Sequence, residues 1–147
     1  MSRRQRLHRT AVAVGCVLAL AAVTGCSNSP TNPSAVSFSQ SDLRVGSGTE
    51  ATAGKTLTVN YTGWLYDAGK SDQKGLIFDT STGAAAFSFT LGAGQVIPGW
   101  DLGLAGLRVG GVRRLVIPSS LGYGSTRAYT IPPYSTLIFE VELLDVQ

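Results

Sequence analysis

Seven aromatic residues stand out because they are spread over most of the predicted strands and the predicted helix. They are Tyr61, Phe78, Phe87, Phe89, Trp100, Tyr123 and Phe139. Some of them must form the hydrophobic core, as aromatic side chains in a small domain usually do. Asp79 directly follows one of these rings, however, and Tyr123 lies between two glycines. An apolar pocket with a few converging polar groups is typical of a ligand site, so the pattern predicts one here.

Residue types and spacing exclude several other kinds of active site. The only histidine is His8 and the only cysteines are Cys16 and Cys26, all near the N-terminus. The rest of the chain therefore has no Ser-His or Cys-His pair, no internal disulfide and no His/Cys metal site. The Gly-Ala-Gly motif at 92–94 has Ile97 where a dinucleotide fingerprint needs its third glycine, and no P-loop motif occurs. We expect no cofactor and no metal.

The first 25 residues have the features of an export signal. Several arginines precede an uncharged apolar run from Ala11 to Val23, which is too short to span a bilayer. The sequence VTGC at 23–26 resembles the bacterial lipobox, in which the cysteine is lipidated and becomes the first residue of the mature chain. We predict a lipoprotein signal peptide over residues 1–25 and lipidation of Cys26. A plain signal peptide followed by an accidental cysteine is the alternative.

The segment 26–41 is predicted to be a lipidated, flexible tether before a domain over 42–147. Ser, Thr, Asn and Pro dominate this segment, and such a composition buries little surface. Without residues 1–25 the chain keeps eight basic and nine acidic residues, a net charge of −1. The basic character of the whole chain therefore belongs to the signal and does not argue for nucleic acid. The Arg113-Arg114 pair is predicted to lie on a solvated strand face.

Period-two alternation of apolar and polar residues predicts strands over most of the domain. The clearest run contains Leu57, Val59 and Tyr61, and Trp64 to Tyr66 extend it. Further strands are predicted at 76–78, 87–91, 112–117 and 136–146. The polar stretch 67–75 is predicted to be a loop.

One helix is predicted, with Pro98 at its first position, where a missing N–H costs nothing. Its single apolar stripe consists of Ile97, Trp100, Leu104 and Leu107. Its glycines make it a poor helix by propensity, so packing must hold it, and Gly103 and Gly106 are interpreted as allowing close approach to the sheet. A short helix against a twisted antiparallel sheet makes this an α+β domain.

From about Asp42 to the C-terminus the chain resembles the FKBP-type peptidyl-prolyl isomerases. The resemblance rests on segments that occur in the family's order: VNYTG at 59–63, FDTS at 78–81, FSF at 87–89, QVIPGW at 95–100, VGG at 109–111, LGYG at 121–124, and IPP at 131–133 with LIFEVELL at 137–144. It implies an FKBP-like fold in which about five to six antiparallel strands wrap around one short helix. It also implies a pocket between helix and sheet. Together with the lipobox it predicts a bacterial lipoprotein form of the family.

The resemblance also implies which residues form that pocket. Those implied to be catalytic are Tyr61, Phe78, Asp79, Ile97, Trp100, Tyr123 and Phe139. Those implied to bind substrate beside them are Phe87, Val96 and Ile131. In the family the tryptophan forms the pocket floor, the aspartate lies near the twisting amide, and the equivalents of Ile97 N–H and the Tyr123 hydroxyl donate hydrogen bonds to ligand carbonyls.

Several positions depart from the family pattern. The family's best-known members carry an arginine a few residues after the aspartate, but 82–86 reads TGAAA. We therefore expect Asp79 to be held by Tyr61 or to be more exposed. The segment 125–130 is one residue shorter than usual and contains Tyr129, and Gln95 stands where some relatives have glutamate. These departures bear on substrate preference and inhibitor affinity more than on the reaction.

The predicted function is cis-trans isomerisation of X–Pro bonds in exported proteins, which assists their folding. The alternatives are a non-catalytic module or chaperone that binds proline-containing segments, and a surface lipoprotein that acts on a host or on neighbouring cells. The expected partners are proline-containing segments and, through the lipid, a bacterial membrane at its periplasmic or cell-surface face. Macrolide inhibitors of the family are further expected ligands. We expect a monomer that does not bind nucleic acid.

Overall fold

The computed structural model describes residues 36–147. The predicted signal peptide, Cys26 and most of the predicted tether lie outside this range. The described chain contains six strands and one α-helix: β1 (Ser39–Arg44), β2 (Thr56–Tyr66), β3 (Lys74–Thr80), β4 (Phe87–Thr90), α1 (Pro98–Gly103), β5 (Val112–Ile117) and β6 (Leu137–Val146). A 3₁₀ turn, Ser119–Leu121, follows β5. The predicted α+β class and strand number are confirmed. No helix within residues 36–147 combines the length and the apolar character needed to cross a membrane.

All strand pairs in the sheet are antiparallel, and the strand order is β1-β5-β6-β2-β3. The long strand β2 is central because it pairs with β6 along nearly its whole length. On its other side, β2 pairs first with β4 and then with β3. This arrangement brings the ends of β3 and β4 next to the middle of β2, where a pocket can form.

The core lies on the concave side of the sheet, where the predicted alternation places its apolar residues. Along β6, Leu137, Phe139, Val141 and Leu143 are buried while Glu140 and Glu142 are only partly buried. Leu57 and Val59 of β2 continue the same layer. Each fully buried side chain of this size stabilises the fold by about 1.5–3 kcal/mol.

The helix α1 packs closely on β5 through two glycines. A Cβ at Gly103 would lie 2.6 Å from Leu115 Cδ2, and a Cβ at Gly99 would lie 2.5 Å from Ile117 Cγ2. The close approach predicted for Gly103 is therefore correct. The same prediction for Gly106 is wrong, because this residue has φ +79° in the turn after the helix and has nothing near its Cβ position. The helix also ends at Gly103, so Leu104 and Leu107 of the predicted stripe are buried from the following turn.

The sheet begins earlier than the sequence indicated. Strand β1 starts at Ser39 and pairs with β5, so three residues assigned to the tether belong to the sheet. Phe38, just before β1, packs against the core. The sequence SQSDLR has no apolar alternation, and every residue of β1 is exposed. Strand β1 pairs through its backbone at the sheet edge, which leaves little signal in side-chain types.

Candidate active site

A pocket of about 400 Å³ opens between α1 and the concave face of the sheet. Strands β2, β3, β4 and β6, the helix, and the loop after β5 each contribute to its walls. The lining residues are Tyr61, Phe78, Asp79, Phe87, Gln95, Val96, Ile97, Trp100, Tyr123 and Phe139. A volume of this size is sufficient for a small ligand or for a few residues of a peptide.

The floor of the pocket is the indole of Trp100, which is only 4% exposed. Its ring centroid lies 5.1 Å from that of Tyr61 and 5.2 Å from that of Phe139, and both contacts are edge-to-face. Phe89 supports the indole at 5.6 Å from the core side. Edge-to-face pairs of this kind are each worth about 0.5–1.5 kcal/mol beyond the buried area. The floor is therefore a rigid aromatic surface.

Gly63 leaves space for the rings of the pocket, and Ser81 fixes the backbone of one of them. A Cβ at Gly63 would lie 2.7 Å from Phe78 and 2.8 Å from Phe139, so only glycine fits beneath this pair. The buried hydroxyl of Ser81 accepts a 2.8 Å hydrogen bond from Tyr61 N, and Ser81 N donates to Tyr61 O at 2.9 Å. The residue that follows β3 thereby fixes the backbone of Tyr61.

The main polar contact of the pocket joins Tyr61 to Asp79. The tyrosine hydroxyl donates a 2.7 Å hydrogen bond to Asp79 Oδ2. Among residues 36–147, Asp79 forms no ion pair, so the expectation that Tyr61 holds this carboxylate is confirmed. Burial raises the pKa of Tyr61 to about 12, and the hydrogen bond to Asp79 and its charge add to the effect. The hydroxyl therefore remains a donor at every physiological pH.

Two further donors lie at the pocket. Tyr123 is 38% exposed. The pKa of its hydroxyl is raised mainly by burial, and the nearby charges of Asp79 and Tyr129 add smaller effects in the same direction. Ile97 is extended and directly precedes α1, and its backbone N–H makes no hydrogen bond within the described part of the chain. The pocket thus combines apolar walls with a few N–H and O–H donors, which suits an extended peptide with exposed carbonyl oxygens.

Comparison with known proteins is consistent with this geometry. Residues 47–144 match the family model described as FKBP-type peptidyl-prolyl cis-trans isomerase. The chain belongs to this family. An "FK506-binding protein" of Neisseria meningitidis serogroup A is 51% identical over 107 residues, which cover 71% of this chain and 92% of that protein. The "Peptidyl-prolyl cis-trans isomerase FKBP15-3" of Arabidopsis thaliana is 48% identical over 100 residues, or 68% of this chain and 66% of that protein.

Among solved structures, FkpA from Escherichia coli shares the fold with a TM-score of 0.62 and 41% identity. The match covers 75% of this chain but only 48% of the FkpA chain. The domain described here is therefore an FKBP domain, and the enzyme class of the chain is peptidyl-prolyl cis-trans isomerase.

In this FKBP domain, nine of the ten predicted pocket residues line the pocket. Ile131 is the exception: it belongs to the buried core cluster, as Trp100 and Phe139 do, but unlike them it is not among the residues that line the pocket. Gln95 was not among the predicted pocket residues, but it lines the pocket. Its Oε1 accepts a 2.9 Å hydrogen bond from Thr90 N. The side chain thereby ties the loop before the FKBP helix to the end of β4.

The prediction for the arginine pair on β5 is half wrong. Arg114 is partly exposed, but Arg113 is 7% exposed and lies against the end of α1. The strand period contained the signal, because residue 113 shares the inward face with Leu115 and Ile117. Its charge suggested solvent, but Asp42 and the backbone carbonyls of Gly103 and Ala105 compensate that charge inside the FKBP domain.

Proposed function

We propose that the chain catalyses rotation about X–Pro bonds in exported proteins and so assists their folding. The observation that carries this proposal is the aromatic floor and walls beside a small set of donors. A planar amide is held by resonance, with a rotation barrier of about 18–20 kcal/mol. Its planar form is the more charge-separated one and is the better stabilised by water at the carbonyl oxygen. A pocket that removes this water favours the twisted form, which is catalysis by differential binding without a covalent step.

Each part of the pocket has a role in this proposal. Trp100 and Phe139 receive the proline ring and exclude water. Ile97 N–H and the Tyr123 hydroxyl hold carbonyl oxygens of the peptide, so that only the X–Pro bond turns. Asp79, oriented by Tyr61, faces the twisting amide electrostatically. Each 1.4 kcal/mol or so of preference for the twisted form is worth about tenfold in rate.

The location and partners of the isomerase are part of the same proposal. The basic, apolar N-terminus and the VTGC sequence support export and lipidation of Cys26. The chain then acts as a monomer on a lipid anchor at the periplasmic or cell-surface face of a bacterial membrane. Its partners are proline-containing segments of exported proteins, and macrolide inhibitors occupy the same pocket. Metabolic labelling with a fatty acid tests the anchor, since Cys26→Ser abolishes the label and Cys16→Ser does not.

The test of catalysis is the relaxation of a short X–Pro peptide from cis to trans, with X varied. We expect a clear acceleration, largest for bulky apolar X, that Trp100→Ala abolishes and Tyr123→Phe reduces. Trp64→Ala is the matched control, because Trp64 lies on β2 but carries Lys74 over its ring at 4.4 Å instead of lining the pocket. Circular dichroism establishes that each variant is folded.

A non-catalytic module that binds proline segments gives a different result in the same experiment. The folded wild-type chain then leaves the relaxation rate unchanged but still binds the peptide, and Trp100→Ala weakens that binding. This outcome rejects catalysis and supports the binding alternative.

A further inference from the structure

The first strand of the domain is connected to α1 through one arginine of β5, although the strand lies outside the matched family segment 47–144. The carboxylate of Asp42 in β1 accepts hydrogen bonds from Arg113 Nε at 2.5 Å and from Nη2 at 3.2 Å. Such a two-point pair fixes the plane of the guanidinium as well as its position. Strand β1 therefore orients an arginine of the neighbouring strand β5.

The third guanidinium nitrogen of Arg113, Nη1, is directed at the end of α1. Its Nη1 donates to Gly103 O at 2.9 Å and to Ala105 O at 3.0 Å. The last carbonyls of a helix have no partner within the helix, and a cation there is favourable. The last turn of α1 has no basic residue of its own. Arg113 supplies this cation from strand β5.

The helix needs such support because it is short and rich in glycine. Six residues are far fewer than the ~12–15 at which an isolated helix becomes even marginally stable. Trp100 lies one turn before the carbonyls that Arg113 binds, and the indole contacts Tyr61 and Phe139 across the pocket. Any shift or fraying of the helix end changes the position of the floor relative to these walls.

We infer that Arg113, oriented by Asp42, is a positioning residue of the isomerase: it holds the end of α1 and thereby the Trp100 floor. Strand β1 then contributes to the active site indirectly, through Arg113 and the end of α1. The inference about turnover rests on the proposed function. The inference about the floor does not, because the indole position can be measured without any substrate.

The experiment compares Arg113→Met, Arg113→Lys and Asp42→Asn in the full chain, with Arg114→Met as the matched control. Arg114 is adjacent on β5, but it binds Asp72 O and Gln73 Oε1 in the loop before β3. All assays are made at a temperature where urea titration shows each variant to be at least about 95% folded. We expect kcat/KM for an X–Pro peptide to fall about tenfold in Arg113→Met and about threefold in Asp42→Asn, with partial recovery in Arg113→Lys. Arg114→Met stays within twofold of wild type, about 0.4 kcal/mol.

A spectroscopic readout separates positioning from stability. With 5-fluorotryptophan incorporated, the two resonances are assigned by the Trp100→Phe and Trp64→Phe variants. We expect the Trp100 resonance to shift in Arg113→Met and Asp42→Asn and to stay in place in Arg114→Met. If Arg113→Met does not fold, Asp42→Asn carries the test, since it keeps the arginine and its carbonyl bonds.

Two results overturn the inference: an unshifted Trp100 resonance in the folded variants, or a loss of kcat/KM no larger than that of Arg114→Met. If the wild-type chain shows no isomerase activity, the proposed function fails. The resonance shift then still decides whether Arg113 positions the floor.

Discussion

The two ends of α1 are held in opposite ways. At the C-terminal end, a buried arginine binds two carbonyls and is itself bound by Asp42. At the N-terminal end, Ile97 is extended, no side chain caps the helix, and Pro98 needs no hydrogen-bond partner. The preceding turn is held indirectly, because the carboxylate of Asp101 accepts hydrogen bonds from Gly92 N and Gly94 N.

This difference shows how a six-residue helix can be fixed at one end and still leave a backbone donor without a partner at the other. Backbone groups at a helix end need partners, and at the C-terminal end of α1 the carbonyl of Gly103 has one in Arg113. The Ile97 N–H at the other end makes no bond within residues 36–147, and Ile97 is one of the residues that line the pocket. The C-terminal end of α1 is thus held by a side chain from β5, while a backbone donor beside the pocket has no partner within the described residues.

The largest expected effect tests the C-terminal end of α1 through stability. Arg113→Met leaves the carbonyls of Gly103 and Ala105 without their donor, and we expect a loss of about 3 kcal/mol in the free energy of unfolding, because each buried polar group left without a partner costs about 1–3 kcal/mol. Arg114→Met is expected to cost less than about 1 kcal/mol because its contacts are more exposed. Urea unfolding measures both. Equal losses contradict the distinction between the two arginines.

The next effect concerns the packing that brings the helix close to β5. Gly103→Ala places a methyl group 2.6 Å from Leu115 Cδ2, so helix or strand has to move. We expect a cost of about 1–3 kcal/mol in unfolding free energy, although alanine is the better helix former. Leu102→Ala, on the exposed side of the same helix, is the control and should change stability by no more than about 0.5 kcal/mol. A stabilised Gly103→Ala contradicts the close approach.

In the pocket beside the N-terminal end of the helix, a substitution of Tyr61 on β2 is expected to change activity more than stability. Tyr61→Phe keeps the ring contacts with Trp100 but removes the hydrogen bond to Asp79. Because Asp79 then loses the donor that orients it, we expect kcat/KM to fall about tenfold, which is about 1.4 kcal/mol of transition-state stabilisation. Tyr66→Phe on the same strand is the control, since its hydroxyl makes only a 3.4 Å contact with Gln73. Full activity in Tyr61→Phe means that orienting Asp79 does not matter.

The smallest expected effect is a pH dependence of the Asp42–Arg113 pair. The hydrogen bond from Arg113 lowers the pKa of Asp42 below its ordinary value of 3.8, against the opposing effect of partial burial. The stabilising contribution is thus complete above the unfolded-state value and is lost as the pH falls through the lowered pKa. We expect the difference in urea midpoint between wild type and Asp42→Asn to be constant from pH 5 to about 7 and to shrink below about pH 4.

The control for this dependence is Glu50→Gln, which removes an exposed pair with Arg108. Such surface pairs contribute about 0–1 kcal/mol, so this variant should follow wild type closely at each pH. A constant difference for Asp42→Asn down to pH 2 contradicts a lowered pKa in the folded state.

Most strands of the fold and most pocket residues could be predicted, and the failures have different causes. Alternation marked β2 and β6 because one face of each meets the core and the other meets water. Strand β1 left no such mark, since all its side chains are exposed. Ile131 was assigned to the pocket by resemblance, but it is buried in the core cluster and is not among the lining residues.

The sequence by itself determined the α+β class, the inventory of aromatic rings and polar groups, and the absence of a nucleophile pair after Cys26. These follow from residue types and from local periodicity, which neighbouring residues carry. The tertiary structure alone decided that Asp79 is held by Tyr61, and that Asp42 and two backbone carbonyls compensate the charge of Arg113 on the inward face of β5. The contacts of Asp79 and Asp42 join residues 18 and 71 positions apart. Whether a charge is buried depends on partners that distant segments bring, and no local pattern records them.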